Sequence, residues 1–305
     1  MEDNLIDSPL VPGSKAILIK SVSIDYIKKG YKYYNVDVNR FFTGLKRMSI
    51  YRCQSSGYEF YYPNNVTGDS EFYEAFQRFD WYYMPWKWEH ELAASCLTND
   101  LSILEVGCAH GAFLTGASNR FNLQKAVGLE LNESAPINNG QVQIINQTIQ
   151  DFEKNNHELF DVVCSFQVLE HISEVHSFLQ SMIGCLKPGG KLLISVPNNE
   201  SFIGKENSVL NMPPHHVGRW NTKSLSYLER LFPIHLLNAQ CEPLQSYHVE
   251  SYINATYYSR YPKLIAKAIK KVDKFTGKYK KLMTRIFDNK ESLVGHTVLV
   301  IFTKD

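Results

Sequence analysis

"LEVGCAHGAF" (residues 104–113) places an acid, two glycines and a histidine where an apolar run gives way to a helical pattern. The run "LSILEVG" reads as a buried strand, and "CAHGAFLTGAS" reads as a turn entering a helix. Glycine lets backbone approach a ligand closely and tolerates positive φ, so Gly107 and Gly111 mark a strand-to-helix turn shaped around a bound group. Glu105, near the strand's end, is placed to hold a cationic or hydroxyl group directly or through water. Roughly 20 residues on, a second strand ends in Glu130 ("VGLELN"), where an acid accepts hydrogen bonds from the hydroxyls of a ribose.

The same alternation continues around this turn. "KAVGLEL" (125–131), "QVQIINQ" (141–147), "FDVVCSFQ" (160–167) and "KLLISVP" (191–197) read as strands. "SEVHSFLQSMIGCL" (173–186) reads as a helix broken by "KPGG", because proline and glycine do not continue it cheaply. Short apolar strands separated by helices imply parallel pairing through crossover helices, with both faces of the sheet covered. The expected fold is a doubly wound α/β sheet, which binds ligands beyond the carboxyl ends of its strands.

The bulk properties agree with a large globular unit. The chain has 305 residues, 44% hydrophobic and 21% charged, enough to bury a sizeable core. A net charge of +1 gives no global signal for nucleic acid or any acidic partner. No apolar run approaches the roughly 20 residues that span a bilayer. "MEDNLIDSPL" lacks the basic end and apolar middle of a signal peptide. The six cysteines are scattered with no CxxC pair, as expected of reduced thiols in a cytoplasmic protein.

Dinucleotide sites use GxGxxG, whereas here Gly107 and Gly111 are separated by three residues with Ala109 between them. The stretch instead resembles motif I of class I S-adenosylmethionine-dependent methyltransferases, hydrophobic–acid–x–Gly–x–Gly–x–Gly, departing from it at Ala109 and carrying His110 beside it. Four further features appear in the family's order: Glu130, "TIQDF" (148–152), "FDVVCSFQVLEHI" (160–172) and "LKPGGKLLISVPN" (186–198). The resemblance covers about residues 99–200. It implies a Rossmann-like, mostly parallel seven-stranded sheet and S-adenosylmethionine as cofactor. By the same resemblance the cofactor is held by Glu105, Gly107, Cys108, Ala109, Gly111, Glu130 and Leu131. Gln150 and Asp151 flank its adenine, and Phe166 packs beside it. In "FDWYYMPWKWEHELA" (79–93), Tyr82, Tyr83, Trp86 and Trp88 either form an aromatic wall over the ligand or pack the helix onto the sheet. Tyr83 is taken as a cofactor contact, and Lys87 or His90 is placed to meet the cofactor's carboxylate.

The acceptor class is read from the exit of the fourth strand. Amino-methylating enzymes that act on DNA bases resemble one another in a (D/N)PP(Y/F) motif there. This chain has "FQVLEHI", which resembles small-molecule methyltransferases of the ubiquinone-biosynthesis and sugar-modifying type. "NMPPHHVGRWNTKSLSYLERLF" (211–232) resembles the stretch that closes over substrate in that group. His216, His215 and His171 are the candidates for a base that takes a hydroxyl proton, since histidine titrates near neutrality. Each has a structural alternative as a helix cap or a turn-holding residue.

"YRCQSSGYEFYYP" (51–63) resembles the end of the zinc-binding front piece of sugar C-methyltransferases, with Ser56 where a second cysteine would come after Cys53. A structural zinc site needs about four nitrogen or sulfur ligands, so no metal is expected. The expected division is a front extension over 1–70 and a methyltransferase domain over 71–305, with a basic helical insertion at about 255–290 before the last strand, "GHTVLVIFTK" (295–304). In that insertion, residues 261–287 hold nine lysines and arginines against Asp273 alone. Leu264, Ile265, Ala268, Ile269, Val272 and Phe275 recur at helical spacing. That stripe either packs on the core or on a second subunit of a homodimer, or attaches to an anionic membrane or a phosphate-bearing substrate. No base-reading module accompanies it, so nucleic acid is not expected. The expected activity is methyl transfer to a hydroxyl of a carbohydrate, glycolipid or related small molecule. The competing readings are a nucleotide-sugar C-methyltransferase and a non-catalytic cofactor-binding scaffold.

Overall fold

The computed structural model describes residues 5–79, 82, 84–132, 140–206 and 208–305. The front part runs β1 (Leu5–Asp7), β2 (Lys15–Ser23), α1 (Ile24–Tyr33), β3 (Arg47–Cys53) and β4 (Glu59–Tyr62). Helices α2 (Ser70–Gln77) and α3 (Trp88–Ala94) lead into β5 (Ser102–Val106), α4 (Ala112–Arg120), β6 (Lys125–Leu129) and β7 (Val142–Ile145). Then come α5 (Ile149–Glu153), β8 (Phe160–Phe166), α6 (Val175–Cys185), β9 (Leu186–Pro197), α7 (Ile203–Glu206) and β10 (Gly218–Arg219). The chain closes with α8 (Thr222–Ser226), β11 (Ile234–Pro243), α9 (Val249–Arg260), α10 (Lys263–Phe275), α11 (Lys278–Asp288) and β12 (Val294–Lys304).

Seven strands form the main sheet in the order β11-β12-β9-β8-β5-β6-β7. β5 pairs in parallel with β6 on one side and β8 on the other, so Glu105 lies opposite both Gly128 and Cys164. The strand order reverses at this point, which opens a crevice at the carboxyl ends. All five residues of β5 are buried, because separate apolar clusters cover the two faces of the sheet; this is why the strand reads as an unbroken apolar run. β12 returns antiparallel between β9 and β11. Helix α6 packs through Val175, Phe178, Leu179, Met182 and Ile183, a helical stripe on one face. β9 begins at Leu186, earlier than "KLLISVP", since the residue before Pro188 is restricted to extended backbone.

A second sheet, β1-β2-β3-β4-β10, is antiparallel throughout. Helix α1 buries Ile24, Ile27 and Tyr31 beside Phe72 and Phe76 of α2. Where the front-piece resemblance placed a ligand pair, Cys53 Sγ lies 3.4 Å from Ser14 Oγ, and Gly57 N–H closes the turn on Cys53 O at 3.0 Å. The edge strand of this sheet comes from the loop after β9: Gly218 pairs with Phe60 and Arg219 with Glu59. Trp220 is next in the chain at 0% exposure, its ring 4.2 Å from that of Tyr58.

Helices α9, α10 and α11 share their own apolar cluster, which includes Phe202, Ile203 and Leu244. Most of the stripe of α10 does not pack on it: Ile269 touches the cluster, but Leu264, Ile265, Val272 and Phe275 are exposed. The helix is instead seated by Ala266, by Lys270 on Asn254 Oδ1, and by Tyr257 Oη donating to Asp273 at 2.7 Å. Among the described residues no helix is long and apolar enough to cross a membrane.

Trp220 carries the largest fully buried side chain at the junction of the two sheets. Its replacement by alanine empties that contact, and the expected cost is about 3–5 kcal/mol, measured by denaturant unfolding. A loss below about 1 kcal/mol would show that the junction does not hold the sheets together.

Candidate active site

The turn after β5 is fixed by backbone geometry. Gly107 has φ +75°, and a Cβ there would lie 2.4 Å from Val168 Cγ2. The N–H groups of Gly107 and Cys108 both donate to Leu129 O, at 2.8 and 3.1 Å, which ties the turn to the end of β6. Ala109 also has positive φ, +47°, at the position where the family pattern has glycine. Its N–H donates to Glu130 Oε2 and that of Asn132 to Glu130 Oε1, both at 2.9 Å. Glu130 therefore holds the two loop ends together while facing the cavity. Glu105 is 4% exposed, and its Oε2 has no hydrogen-bond partner. Burial, then the nearby Glu130, pushes its carboxyl well above the usual carboxylate range.

These residues line a cavity of about 1570 Å³ at the carboxyl ends of β5, β6 and β8. Glu105, Gly107, Cys108, Ala109, Glu130, Leu131, Gln150 and Phe166 all contribute to its wall. Phe166 packs edge-on to Phe113 at 4.9 Å and to His90 at 5.0 Å. Gly111 and Asp151 are absent from the lining. Gly111 caps α4 in a left-handed conformation, where a Cβ would point at Ile144. The Asp151 carboxylate is directed at Thr148 Oγ1 (2.9 Å) and Lys154 Nζ (2.7 Å), as its place in the first turn of α5 dictates. Tyr83 lies outside the described residues.

The three candidate histidines meet in one wall. Ring centroids are 4.9 Å apart for His171–His215, 4.9 Å for His171–His216 and 4.3 Å for His215–His216. Each Nδ1 faces a carbonyl-type oxygen: His215 O for His171, Leu210 O for His215 (2.7 Å) and Asn211 Oδ1 for His216 (3.2 Å). Such oxygens only accept, so each Nδ1 carries the proton and each Nε2 keeps its lone pair. Tyr82 Oη donates to His215 Nε2 at 2.9 Å. Burial pushes His171 down to about 4 and His215 to about 3, and with the two neighbouring rings drives His216 well below its ordinary value. All three are neutral at pH 7.

The adjoining part of the cavity holds a set of groups that no sequence motif marked. Glu89 and Glu242 are buried, and Gln167 Nε2 donates to Glu89 Oε1 at 3.3 Å. Glu242 Oε2 accepts from the N–H groups of His296 and Thr297, both at 3.2 Å. His248 stacks on His296 at 5.0 Å. Burial, reinforced by Glu89, pushes Glu242 up to about 7, and burial pushes Glu170 up to about 8. Glu170 Oε2 is buried without a partner. These residues come from α3, β11, the turn before α9, β12 and the exit of β8, so no local pattern joins them. The one available signal was an acid closing the apolar strand "IHLLNAQCEP".

The methyltransferase-domain family matches residues 77–254, more than half of the chain. A mitochondrial ubiquinone biosynthesis O-methyltransferase of Dictyostelium discoideum is 30% identical over 129 residues, 36% of this chain and 39% of that one. The ubiquinone biosynthesis O-methyltransferase of Rickettsia typhi is 35% identical over 109 residues, covering 33% and 44%. That of Rickettsia bellii is 32% identical over 106 residues, covering 33% and 43%. The matched stretch thus spans about two fifths of these relatives' length. The site fits S-adenosylmethionine: Glu105 offers an unpartnered buried carboxylate oxygen, Gly107 leaves room that a side chain would fill, and Glu130 sits at the end of β6. With a matching family, the expected mostly parallel seven-stranded main sheet and a cavity at its switch point, the chain belongs to the methyltransferase-domain family as a class I S-adenosylmethionine-dependent methyltransferase.

Proposed function

We propose that the chain methylates a hydroxyl oxygen of a carbohydrate, glycolipid or related polyhydroxy acceptor. The observation that carries this reading is the gathering of polar side chains at the cavity beside the exit of β8: buried Glu89, Glu170, Glu242 and His216, with half-buried His171. A buried polar atom without a partner is costly, and Glu170 Oε2 is one. A polyol brings one donor with every hydroxyl. The O-methyltransferase relatives support transfer to oxygen. Their name points to a phenolic acceptor, so the decisive screen sets sugar and glycolipid acceptors against catechol-type phenols. Turnover with phenols alone would sink the polyol assignment.

S-adenosylmethionine supplies an electrophilic sulfonium methyl. Glu105 and Glu130 hold its ammonium and ribose ends, and Phe166 packs beside it. The acceptor hydroxyl is aligned by the buried carboxylates, which provides the near-attack geometry that an in-line displacement requires. His216 Nε2 takes the hydroxyl proton. A hydroxyl becomes strongly acidic as its oxygen gains the methyl, so a weakly basic, neutral imidazole suffices. Asn211 Oδ1 and the two adjacent rings fix its tautomer and orientation.

A second reading of the same wall is favoured by one distance: one nitrogen from each of His171, His215 and His216 lies within 4.8 Å of the others. Carbonyl partners on every Nδ1 match the outer shell that orients metal-bound histidines. In this reading the wall holds a divalent cation that polarises the acceptor hydroxyl. Dialysis against a chelator separates the two: the base reading expects full activity, the metal reading a loss restored by Zn²⁺ or Mg²⁺.

Calorimetric titration tests the cofactor site. Glu130→Ala removes a charged hydrogen-bonding group worth about 2 kcal/mol or more, so S-adenosylmethionine should bind roughly 30-fold more weakly or worse. Unchanged affinity would refute the role given to Glu130. The pH profile tests the base. A histidine with a lowered pKa stays neutral to lower pH, so activity is present above the folded value and lost as pH falls through it. The acid limb of kcat should therefore lie well below the ordinary histidine value, and His216→Ala should abolish turnover while cofactor binding persists. An inflection at the ordinary histidine value would place the base outside this wall.

A further inference from the structure

Helix α10 is mounted with its apolar stripe outward. Phe275 is 94% exposed, Leu264 83%, Val272 58% and Ile265 51%. Leu264, Ala268, Val272 and Phe275 fall at i, i+4, i+8 and i+11, one face of the helix. The opposite side is the one the protein holds, through Ala266, Lys270 and Asp273. Exposed Lys267, Lys271 and Lys274 run along the stripe, and exposed Lys278, Lys280 and Lys281 continue the charge into α11. Isolated exposed apolar residues are ordinary, but a contiguous apolar strip edged by cations on one helix marks a docking face.

We propose that this face docks on an anionic lipid surface, with Leu264, Ile265, Val272 and Phe275 entering the headgroup–acyl boundary and the flanking lysines on the phosphates. The charge pattern selects this occupant. Residues 261–287 carry nine cations and the single acid Asp273, which is already bonded to Tyr257. A second copy docked about a two-fold axis would set this cationic face against itself. A nucleic acid would meet the lysines but leave Phe275 and Leu264 in water. Lipid satisfies both, because lysine stems lie along apolar surface while their ammonium groups reach the phosphates. The cavity lies behind this helix: Phe202 and Ile203 line the cavity and share an apolar cluster with Ala266 on the inner side of α10. Docking there brings the cavity wall close to the headgroups, where a lipid-linked acceptor would be found.

The experiment is co-sedimentation of the full chain with phosphatidylcholine vesicles, with and without phosphatidylglycerol, at low and raised salt. Binding is expected only with phosphatidylglycerol and should weaken as salt rises. Lys267→Glu with Lys271→Glu should weaken it about tenfold or more, and Leu264→Ser with Phe275→Ser by a similar factor. These side chains are exposed and remote from the cofactor, so both variants should bind S-adenosylmethionine as the unmodified chain does. This control separates a failed docking face from a misfolded protein and from a failed cofactor assignment. Absence of binding to phosphatidylglycerol vesicles at low salt overturns the proposal. So does binding unaffected by either pair of substitutions, or a dimer that Phe275→Ser abolishes while vesicles are ignored.

Discussion

Val217 hydrogen-bonds in two directions. Its N–H donates to Glu170 O at 2.9 Å, and its carbonyl accepts from Tyr61 N–H at 2.8 Å. One residue thus ties the exit of β8 to the edge of the front sheet. The loop that carries His215 and His216 is drawn against His171, and Gly218 and Arg219 are set in register with β4. Arg219 Nε adds a hydrogen bond to Glu59 at 3.2 Å. The bridge lies next to the histidine wall, where His171 Nδ1 also meets His215 O.

Burial does the rest of the chemical work at the site. Taking imidazoles out of water disfavours their charged form, and taking carboxylates out of water disfavours theirs. The cavity therefore presents neutral rings and reluctant acids in close proximity. A site of this kind exerts little net charge and many directed lone pairs.

The molecule places its ligand-facing and surface-facing chemistry in different layers. The crevice at the end of β5, β6 and β8 is built by the main sheet, whose two apolar clusters fix the strand order. The front sheet and the loop after β9 supply one side of the wall. Phe202 and Ile203, at the start of α7, supply another, and the three-helix insertion packs behind them while turning an apolar, lysine-edged face to the outside.

The main sheet, the glycine turn and the acid after β6 were legible in the sequence, because each is specified locally. A fully buried parallel strand needs an unbroken apolar run, a left-handed turn against Val168 needs glycine at position 107, and Glu130 closes a strand at a fixed distance. His171, His215 and His216 were visible as candidates, though not as neighbours. Gly111 and Asp151 were read as ligand-facing; Gly111 caps α4 and the Asp151 carboxylate meets Thr148 and Lys154, since a helix cap can use the same residue types as a binding loop. Glu89, Glu242, His248 and His296 left no motif, because elements distant in sequence bring them together. The outward mounting of α10 was equally invisible. An amphipathic pattern states that a helix has an apolar face, but only the tertiary contacts of Ala266, Lys270 and Asp273 decide which way that face points.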